Sequence, residues 1–302
     1  MPNKCWCGNE TLEEYSTHYY KCEKCNTLIS KKDFSDAIYH VQDEQNDLYG
    51  KNYWESIMEN QAHQSSFDQL VDLYFLDRIP YWMEYILKYI PVDYKVAEIG
   101  CGLGQLAYAM KSVGYNQTAY EMSPEICTYI KQALNVNVIC GEFQNDQEQY
   151  DAVLAFDLIE HILEPEDLLR NIYSRLSDKG VLCIQTPCYC ETLTYDEMCH
   201  EKPKFIEQLK ENEHIYLYSR QSIQEILKRV GFKYFHFEPA CFGDDYDMFL
   251  FASKADICEK SIQEISMNVD AIENGSIVKA AIRLFNSKRK LEQELKESDT
   301  DR

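Results

Sequence analysis

A glycine-rich turn with an acidic residue on either side is the first candidate site in this sequence. Residues 96–99 form a short apolar run that leads into the glycine-rich segment 100–104, and a helix is predicted to begin near Gln105. A strand, a glycine turn and a helix N-terminus in this order allow a ligand to lie against bare backbone at the positive end of the helix. Glu98 precedes the glycines, and Glu121 ends the next predicted strand.

The spacing of the glycines and the two acids indicate which kind of ligand this turn would bind. Gly100, Gly102 and Gly104 are arranged as Gly-x-Gly-x-Gly, which differs from the Gly-x-Gly-x-x-Gly of dinucleotide-binding sites. A carboxylate at Glu98 would repel a pyrophosphate and attract an ammonium or sulfonium group. A carboxylate at Glu121 can accept hydrogen bonds from both hydroxyls of a ribose. The pattern therefore favours a cationic ligand that carries a ribose.

Four cysteines near the N-terminus form a second candidate site, at Cys5, Cys7, Cys22 and Cys25. Two short pairs of thiolates, separated by enough chain for a hairpin, can hold a zinc ion in a closed tetrahedral site. The first pair has one intervening residue where two is usual, and the alternative is a flexible arm with reduced, unliganded cysteines. Four thiolates leave no open position, so a zinc ion here would stabilise the fold of this segment and would not activate water.

The elements that must position these residues follow from hydrophobic periodicity. Short apolar runs alternate with helical stretches from residue 95 onward, which predicts a parallel sheet covered by helices on both faces. The predicted strands are 96–99, 116–120, 136–139, 152–156 and 181–185. Two further runs, 234–237 and 248–252, have no room between them for a helix and are predicted to pair antiparallel. Residues 30–90 are predicted to be mostly helical, and their aromatic cluster, Tyr49, Tyr53 and Trp54, is interpreted as core.

Composition excludes several classes of protein. The chain has 302 residues, with 30 Lys and Arg against 51 Asp and Glu, and its formal net charge is −21. Such acidity argues against general binding to a phosphate backbone. No apolar stretch approaches the roughly 20 residues of a membrane span, and the first residues lack a signal-peptide core. We therefore expect a soluble, cytoplasmic protein with no membrane partner.

At the positions described above, the sequence resembles the class I S-adenosylmethionine-dependent methyltransferases, over about residues 96–254. The resemblance depends on an ordered series of segments: 98–104, Glu121, 156–162, 176–184, Thr186-Pro187, 214–219 and 231–232. It implies an α/β fold with a Rossmann-like, doubly wound, mostly parallel seven-stranded sheet whose last strand is antiparallel. A zinc ribbon before such a domain is similar to small-molecule or sugar methyltransferases with N-terminal metal-binding modules.

The resemblance also implies roles for individual residues. Gly100 and Gly102 would approach the methionine part of S-adenosylmethionine, and Glu121 would hold the ribose. Glu142 and Phe143 match the place where the adenine is bracketed, and Asp157 would face the methionine moiety. The complete implied cofactor-binding set is Glu98, Gly100, Gly102, Gly104, Glu121, Met122, Glu142, Phe143, Phe156 and Asp157.

Histidines are the candidate catalytic bases, because transfer to a hydroxyl requires removal of its proton and an imidazole has a suitable pKa. His214 is the first candidate, since it lies in a long segment after the fifth strand, and His161 is the second. For each histidine, the alternative is a surface residue or a hydrogen-bonded structural residue. The segment 188–219 that contains His214 is longer than such connections usually are and is predicted to form a substrate lid.

Four segments and one leading function are predicted. The segments are a zinc-ribbon-like module (1–32), a helical cover (33–92), a methyltransferase domain (93–254) and a helical tail (255–302), and a homodimer through the helical segments is a candidate assembly. The leading function is methyl transfer to a small hydroxylated acceptor such as a sugar. The alternatives are a non-catalytic adaptor and a protein or nucleic-acid methyltransferase guided by the ribbon. The sequence does not identify the acceptor or decide between O, N and C as the acceptor atom.

Overall fold

The protein is described by a computed structural model that covers residues 4–35, 41–242, 246–257, 259–270, 272 and 274–300. The strands are β1 Leu12–Glu14, β2 Tyr19–Cys22, β3 Leu28–Ser30, β4 Lys95–Ile99, β5 Asn116–Glu121, β6 Val138–Cys140, β7 Tyr150–Phe156, β8 Leu176–Pro187, β9 Tyr216–Leu217, β10 Tyr234–Glu238 and β11 Asp247–Ser253. The helices are α1 Lys51–Ser56, α2 Phe67–Asp77, α3 Ile79–Tyr89, α4 Gln105–Val113, α5 Pro124–Tyr129, α6 Pro165–Arg175, α7 Tyr195–Glu201, α8 Pro203–Ile206, α9 Arg220–Val230, α10 Ile262–Asp270 and α11 Gly275–Thr300.

A seven-stranded sheet organises the molecule, in the order β10-β11-β8-β7-β4-β5-β6. The neighbours β8, β7, β4, β5 and β6 are parallel, whereas β11 runs antiparallel to both β8 and β10. This is the Rossmann-like, mostly parallel sheet with an antiparallel last strand that the sequence predicts. The carboxyl ends of β4, β5 and β7 therefore meet at one edge, where open α/β sheets bind ligands.

Two apolar layers cover the sheet, one on each face, because side chains of a strand alternate between its faces. In β4, Val96 packs with α3 and α4 on one face, and Ala97 and Ile99 pack with α6 and α9 on the other. The same alternation places Glu98 on the Val96 side, where it is almost completely buried. The acid is thus held inside the layer that contains α4.

The N-terminal residues form a small four-stranded antiparallel sheet, β1-β2-β3-β9, in which Cys22 ends β2. The other three N-terminal cysteines lie outside its strands. Its fourth strand comes from residues 188–219, with Leu28 opposite Leu217 and Ile29 opposite Tyr216. Buried side chains from both parts form a common apolar cluster: Tyr19, Leu28, Tyr189, Met198, Phe205 and Leu217. The 188–219 segment is thus a docking partner of the N-terminal module, and its role as a lid stays a prediction.

The helical cover begins later than the sequence pattern predicts. Residues 41–50 contain turns, because the Asp47 carboxylate accepts hydrogen bonds from the backbone amides of Gln42 and Asp43 and competes with a helix. Helix α1 then continues into a π-helical turn, Ile57–Gln61. Within the described part of the chain, every helix is too short or too polar to cross a membrane.

Candidate functional site

A cleft of about 670 Å³ lies at the carboxyl ends of β4, β5 and β7. Its volume falls within the range of small-molecule sites, roughly 300–1,000 Å³. Nine of the ten residues in the implied cofactor set line it, namely Glu98, Gly100, Gly102, Glu121, Met122, Glu142, Phe143, Phe156 and Asp157. Gly104 does not line the cleft and instead begins helix α4. The sequence therefore identifies most of one wall of this cleft.

The glycine turn presents bare backbone to the cleft. Gly100, Gly102 and Gly104 have positive φ angles of 69°, 53° and 77°, which side chains other than glycine adopt at a cost. The amides of Gly100 and Cys101 donate to the Tyr120 carbonyl at 2.9 and 3.0 Å, which anchors the turn to β5. Helix α4 follows at once, and its first residue, Gln105, lines the cleft, so the positive end of the helix lies at the cleft.

Glu121 is held by backbone amides as well as by burial. Its Oε1 accepts from the amides of Met122 at 2.8 Å and Ser123 at 3.1 Å, and its Oε2 accepts from the Gly102 amide at 3.1 Å. Burial raises its pKa to about 7 even though these hydrogen bonds lower it. A carboxylate has about four acceptor positions, so one on Oε2 remains for a further hydrogen-bond donor.

Glu98 lies deeper, with an unsatisfied oxygen. Its Oε2 is buried and has no hydrogen-bond partner among the described residues. Burial, together with the nearby charge of Glu121, raises its pKa to about 8. Glu98 is therefore mostly protonated at pH 7, whereas its place in the sequence motif predicts a fixed negative charge. A bound ammonium group would supply the partner that Oε2 lacks and would favour the ionised form.

Another part of the cleft is formed after β6, by residues 141–143. Gly141 donates its amide to the Glu121 carbonyl at 2.9 Å, and Glu142 follows at the rim. The ring of Phe143 is buried, and it lies edge-on to Tyr120 with 5.2 Å between the ring centroids. This turn thus places the backbone of Gly141 and the ring of Phe143 beside the end of β5.

Asp157 begins a tight turn after β7. It has a positive φ of 46°, and its amide donates to the Gln185 carbonyl at 2.9 Å. The surrounding protein raises the pKa of its carboxyl, and the positive charge of Arg78 opposes that rise. Phe156 precedes it and packs against Trp82 at 4.8 Å between the ring centroids.

Both predicted histidines lie together in the cleft, beside Glu160. The ring centroids of His161 and His214 are 4.8 Å apart, and both residues are buried. Burial lowers the pKa of His161 to about 4 and lowers the pKa of His214 well below its usual value, where the neighbouring His161 contributes. Burial, followed by the charge of Asp157, raises the pKa of Glu160 to about 8.

The helical cover supplies cleft residues that are predicted from the sequence to be core. Tyr49, Tyr53 and Trp54 all line the cleft, and the Tyr49 hydroxyl lies 2.9 Å from His161 Nδ1. Aromatic residues are usual in cores, so their concentration at residues 49–54 does not distinguish a ligand contact from core packing. Further lining residues that the sequence analysis did not identify are Tyr74, Arg78, Trp82, Gln208, Lys210 and Tyr246.

The N-terminal cysteines form a separate cluster. Cys5 Sγ lies 3.5 Å from Cys25 Sγ, and Cys7 Sγ lies 3.6 Å from Cys22 Sγ, with all four sulfurs within 4.8 Å of one another. Zn–S bonds of about 2.3 Å in a tetrahedron separate sulfurs by about 3.8 Å. All four side chains are buried, so the donor set, its spacing and its shielding from water fit a structural zinc ion.

Comparison with known proteins identifies the class. The sequence profile of a family described as "Methyltransferase domain" matches residues 74–236, which is more than half of the chain. The chain belongs to this methyltransferase family, which confirms the class predicted from the sequence.

Individual relatives are more distant. A ubiquinone biosynthesis O-methyltransferase of Rickettsia bellii is 28% identical over 121 residues, and the match covers 35% of this chain. The chain spans about half the length of the curated relatives it matches.

Two similar solved structures contain S-adenosylhomocysteine. A glycopeptide N-methyltransferase matches at 15% identity and a TM-score of 0.46, over 59% of this chain and 90% of its own. Magnesium protoporphyrin IX methyltransferase from Synechocystis PCC 6803 matches at 17% identity and a TM-score of 0.45, over 68% of this chain and 100% of its own.

Proposed function

We propose that the protein transfers a methyl group from S-adenosylmethionine to a hydroxyl group of a small acceptor. The observation that carries the proposal is the cleft itself, in which a bare glycine turn and the unpartnered Glu98 Oε2 lie beside the buried cluster of Glu160, His161 and His214. The glycine turn with Glu98 suits a cationic ligand that carries a ribose. The histidine cluster suits an acceptor that must lose a proton. A volume of about 670 Å³ has room for both.

S-adenosylmethionine, when bound, supplies an electrophilic methyl group on a positively charged sulfur. Glu98 would pair with the ammonium group, the turn at Gly100 and Gly102 would lie along the methionine part, and Glu121 Oε2 would accept from a ribose hydroxyl. Asp157, at the end of β7, adds negative charge on the same side of the cleft. These residues bind and orient the donor, which is where much of the rate enhancement of a displacement reaction arises.

Proton removal is assigned to the histidine cluster. His214 Nδ1 lies 2.7 Å from the Gln208 carbonyl, so Nδ1 carries the hydrogen and Nε2 carries the lone pair. In the simplest form of the mechanism, this nitrogen accepts the proton of the acceptor hydroxyl. His161 is the alternative base, because it lies beside His214 at the same wall.

The acceptor is proposed to be a sugar or another small hydroxylated metabolite. Four aromatic residues line the cleft, Tyr49, Tyr53, Trp54 and Tyr74. Their faces give apolar contact, and the tyrosine hydroxyls can orient a polyhydroxylated or ring-shaped acceptor. The curated relatives named as O-methyltransferases support oxygen as the acceptor atom. We further propose that the four-cysteine cluster binds a structural zinc ion.

Calorimetry with S-adenosylhomocysteine tests the proposal directly. We expect micromolar binding to the wild-type protein. Glu121→Ala should weaken binding about 10- to 100-fold, since a hydrogen bond to a charged group contributes about 1.5–3 kcal/mol. Glu148→Ala is the matched control, because Glu148 is exposed and pairs with Lys95 away from the cleft.

Two checks make the result interpretable. Glu121→Gln retains an acceptor oxygen and should bind more tightly than Glu121→Ala, which separates loss of the acceptor from disturbance of the turn. Absence of binding to the wild-type protein at high micromolar concentration would favour the non-catalytic adaptor. Release of S-adenosylhomocysteine across a panel of sugars and phenols would then identify the acceptor class.

A further inference from the structure

Helix α11 exposes large apolar side chains along its length, far from the cleft. Eight large apolar side chains are exposed among the described residues, and four of them lie on this one helix. Single exposed apolar side chains are normal on a protein surface, whereas several on one element indicate a binding surface. The four side chains are 59–72% exposed and belong to Ile277, Leu284, Leu291 and Leu295.

The spacing of these residues is that of a coiled-coil seam. Together with one alanine and one lysine, they follow one another at alternating intervals of four and three residues: Ile277, Ala281, Leu284, Lys288, Leu291 and Leu295. A repeat of 3.5 residues keeps one seam of a helix facing a second helix. This seam is about 27 Å long at a rise of about 1.5 Å per residue. The partner that fits the seam is therefore another helix.

A different face of α11 packs on the rest of the protein. Phe285 is buried in the apolar cluster that contains α3. The Asn286 amide donates to the Glu84 carboxylate at 3.0 Å, and the Arg289 guanidinium lies 4.5 Å from the centroid of the Tyr81 ring. These contacts hold the helix in place with its seam toward solvent. A partner helix therefore meets a formed surface, and less conformational entropy is lost on pairing.

The charged residue of the seam favours one orientation of a pair of identical helices. Lys288 Nζ lies 3.8 Å from Glu292 Oε1 of the same helix, and both side chains are exposed. In a parallel pair, the two Lys288 side chains would face each other and repel. In an antiparallel pair with its two-fold axis near residue 290, Lys288 instead faces Glu292 of the partner subunit. The same axis places Leu284 opposite Leu295 of the partner subunit, so the seam is complementary to itself.

We propose that α11 is a dimerisation helix, which pairs antiparallel with α11 of a second copy of this chain. The two-fold axis closes both seams in one interface, so assembly stops at the dimer. Lys288 fixes the register of the pair and lowers its stability compared with a fully apolar seam. Because the seam is short, we expect a dissociation constant of about 1–100 μM. The proposal concerns assembly and does not depend on the reaction proposed for the cleft.

Sedimentation equilibrium of the full-length protein tests the dimer. One chain has a mass of 35.5 kDa, and we expect the average mass to rise toward twice that value as the concentration increases. Leu291→Lys places a charge in the apolar part of the seam and should keep the protein monomeric over the same concentrations. Tyr234→Lys is the matched control, because Tyr234 is also a large exposed apolar residue but lies on β10, and it should dimerise as the wild-type protein does.

Charge reversal tests the orientation. Lys288→Glu places two acids opposite each other in the antiparallel pair, once on each side of the two-fold axis. It should weaken dimerisation about 3- to 30-fold, since each exposed ion pair is weak but symmetry removes two of them. The double variant Lys288→Glu/Glu292→Lys restores both pairs and should recover the affinity. In a parallel dimer, Lys288→Glu replaces one like-charge pair by another, so an unchanged affinity would contradict the antiparallel arrangement.

Other results overturn the dimer itself. A wild-type protein that is monomeric at about 100 μM would do so, as would a Leu291→Lys variant that dimerises with wild-type affinity. A monomeric wild-type protein that binds vesicles of anionic phospholipid through the same leucines would show that the seam is a membrane-binding face. Circular dichroism and thermal unfolding check that each variant is folded. Leu284→Lys, at a second exposed seam position, replaces Leu291→Lys if that variant loses structure.

Discussion

The acidic side chains beneath the glycine turn are unusual in their protonation. Glu98 and Glu121 are both buried, and burial raises their pKa values to about 8 and about 7. A cleft that receives a cation would bind it better with both acids ionised. We therefore expect ligand binding and proton release to be coupled at these two carboxyls.

We predict that affinity for S-adenosylhomocysteine rises between pH 6 and pH 8. The free cleft holds protons on Glu98 and Glu121, and the complex favours the ionised carboxyls, so binding releases protons and higher pH favours the complex until about pH 8. Calorimetry in buffers of different ionisation enthalpy measures the number of protons released. Glu98→Gln should reduce both the pH dependence and the proton release, and a pH-independent affinity in the wild-type protein would contradict the coupling.

The local sequence pattern predicts helices and strands best where the elements that pair or pack together are close in sequence. The strands of the main sheet, its glycine turn and the β10–β11 hairpin follow from apolar runs and short connections, and the structure contains all of them. The placement of Tyr49 and Trp54 over the cleft could not be predicted, because no local signal indicates which surface a short helix contacts. Strand β9 has two residues and depends on a partner at the other end of the chain.

The contact between α1 and the glycine turn leads to a second prediction. A Cβ at Gly102 would lie 2.5 Å from Trp54 Cη2, and the φ of 53° is unfavourable for alanine. We predict that Gly102→Ala lowers the free energy of unfolding by about 1–3 kcal/mol and weakens S-adenosylhomocysteine binding at least about tenfold. Thermal unfolding and calorimetry measure the two effects.

Gly114 is a control that separates the effect of backbone strain from the effect of the contact with Trp54. Gly114 also has a positive φ, of 98°, but a Cβ there would meet neighbours at ordinary distances of 3.7 and 3.8 Å. Gly114→Ala should therefore lose stability and keep its affinity. The double variant Gly102→Ala/Trp54→Ala should recover part of the stability lost in Gly102→Ala. If Gly102→Ala lowers the free energy of unfolding equally in the presence of Trp54 and in the Trp54→Ala background, the contact with the indole ring is unimportant.

Across the whole molecule, the N-terminal module shapes the wall that contains the histidines. The Tyr19 hydroxyl donates to the His214 carbonyl at 2.9 Å, and the Ser30 amide donates to the Ile215 carbonyl at 2.9 Å. Ile215 in turn donates its amide to the Glu160 carbonyl at 2.8 Å. These hydrogen bonds therefore join the cysteine module to the wall that contains Glu160 and His214.

We predict that Cys25→Ser removes one equivalent of zinc and loosens the 208–219 segment. Elemental analysis measures the metal, and hydrogen exchange should become faster at Ile215, Tyr216 and Leu217, because β9 depends on the module for its partner strand. Affinity for S-adenosylhomocysteine should change little, since the glycine turn lies on other elements. Cys199→Ser is the control, because Cys199 is exposed and outside the cluster. Unchanged exchange in Cys25→Ser would show that the module and the segment are independent.

The pairing of β3 with β9 also has a consequence for how the chain acquires its structure. The first three strands of the small sheet are synthesised before residue 31, but their fourth strand follows most of the methyltransferase domain. Contacts between residues so far apart in sequence form late, after the chain between them has become compact. A zinc ion would give the early strands a stable form during that interval. We therefore expect the acceptor side of the cleft to be the last part of the domain to become ordered.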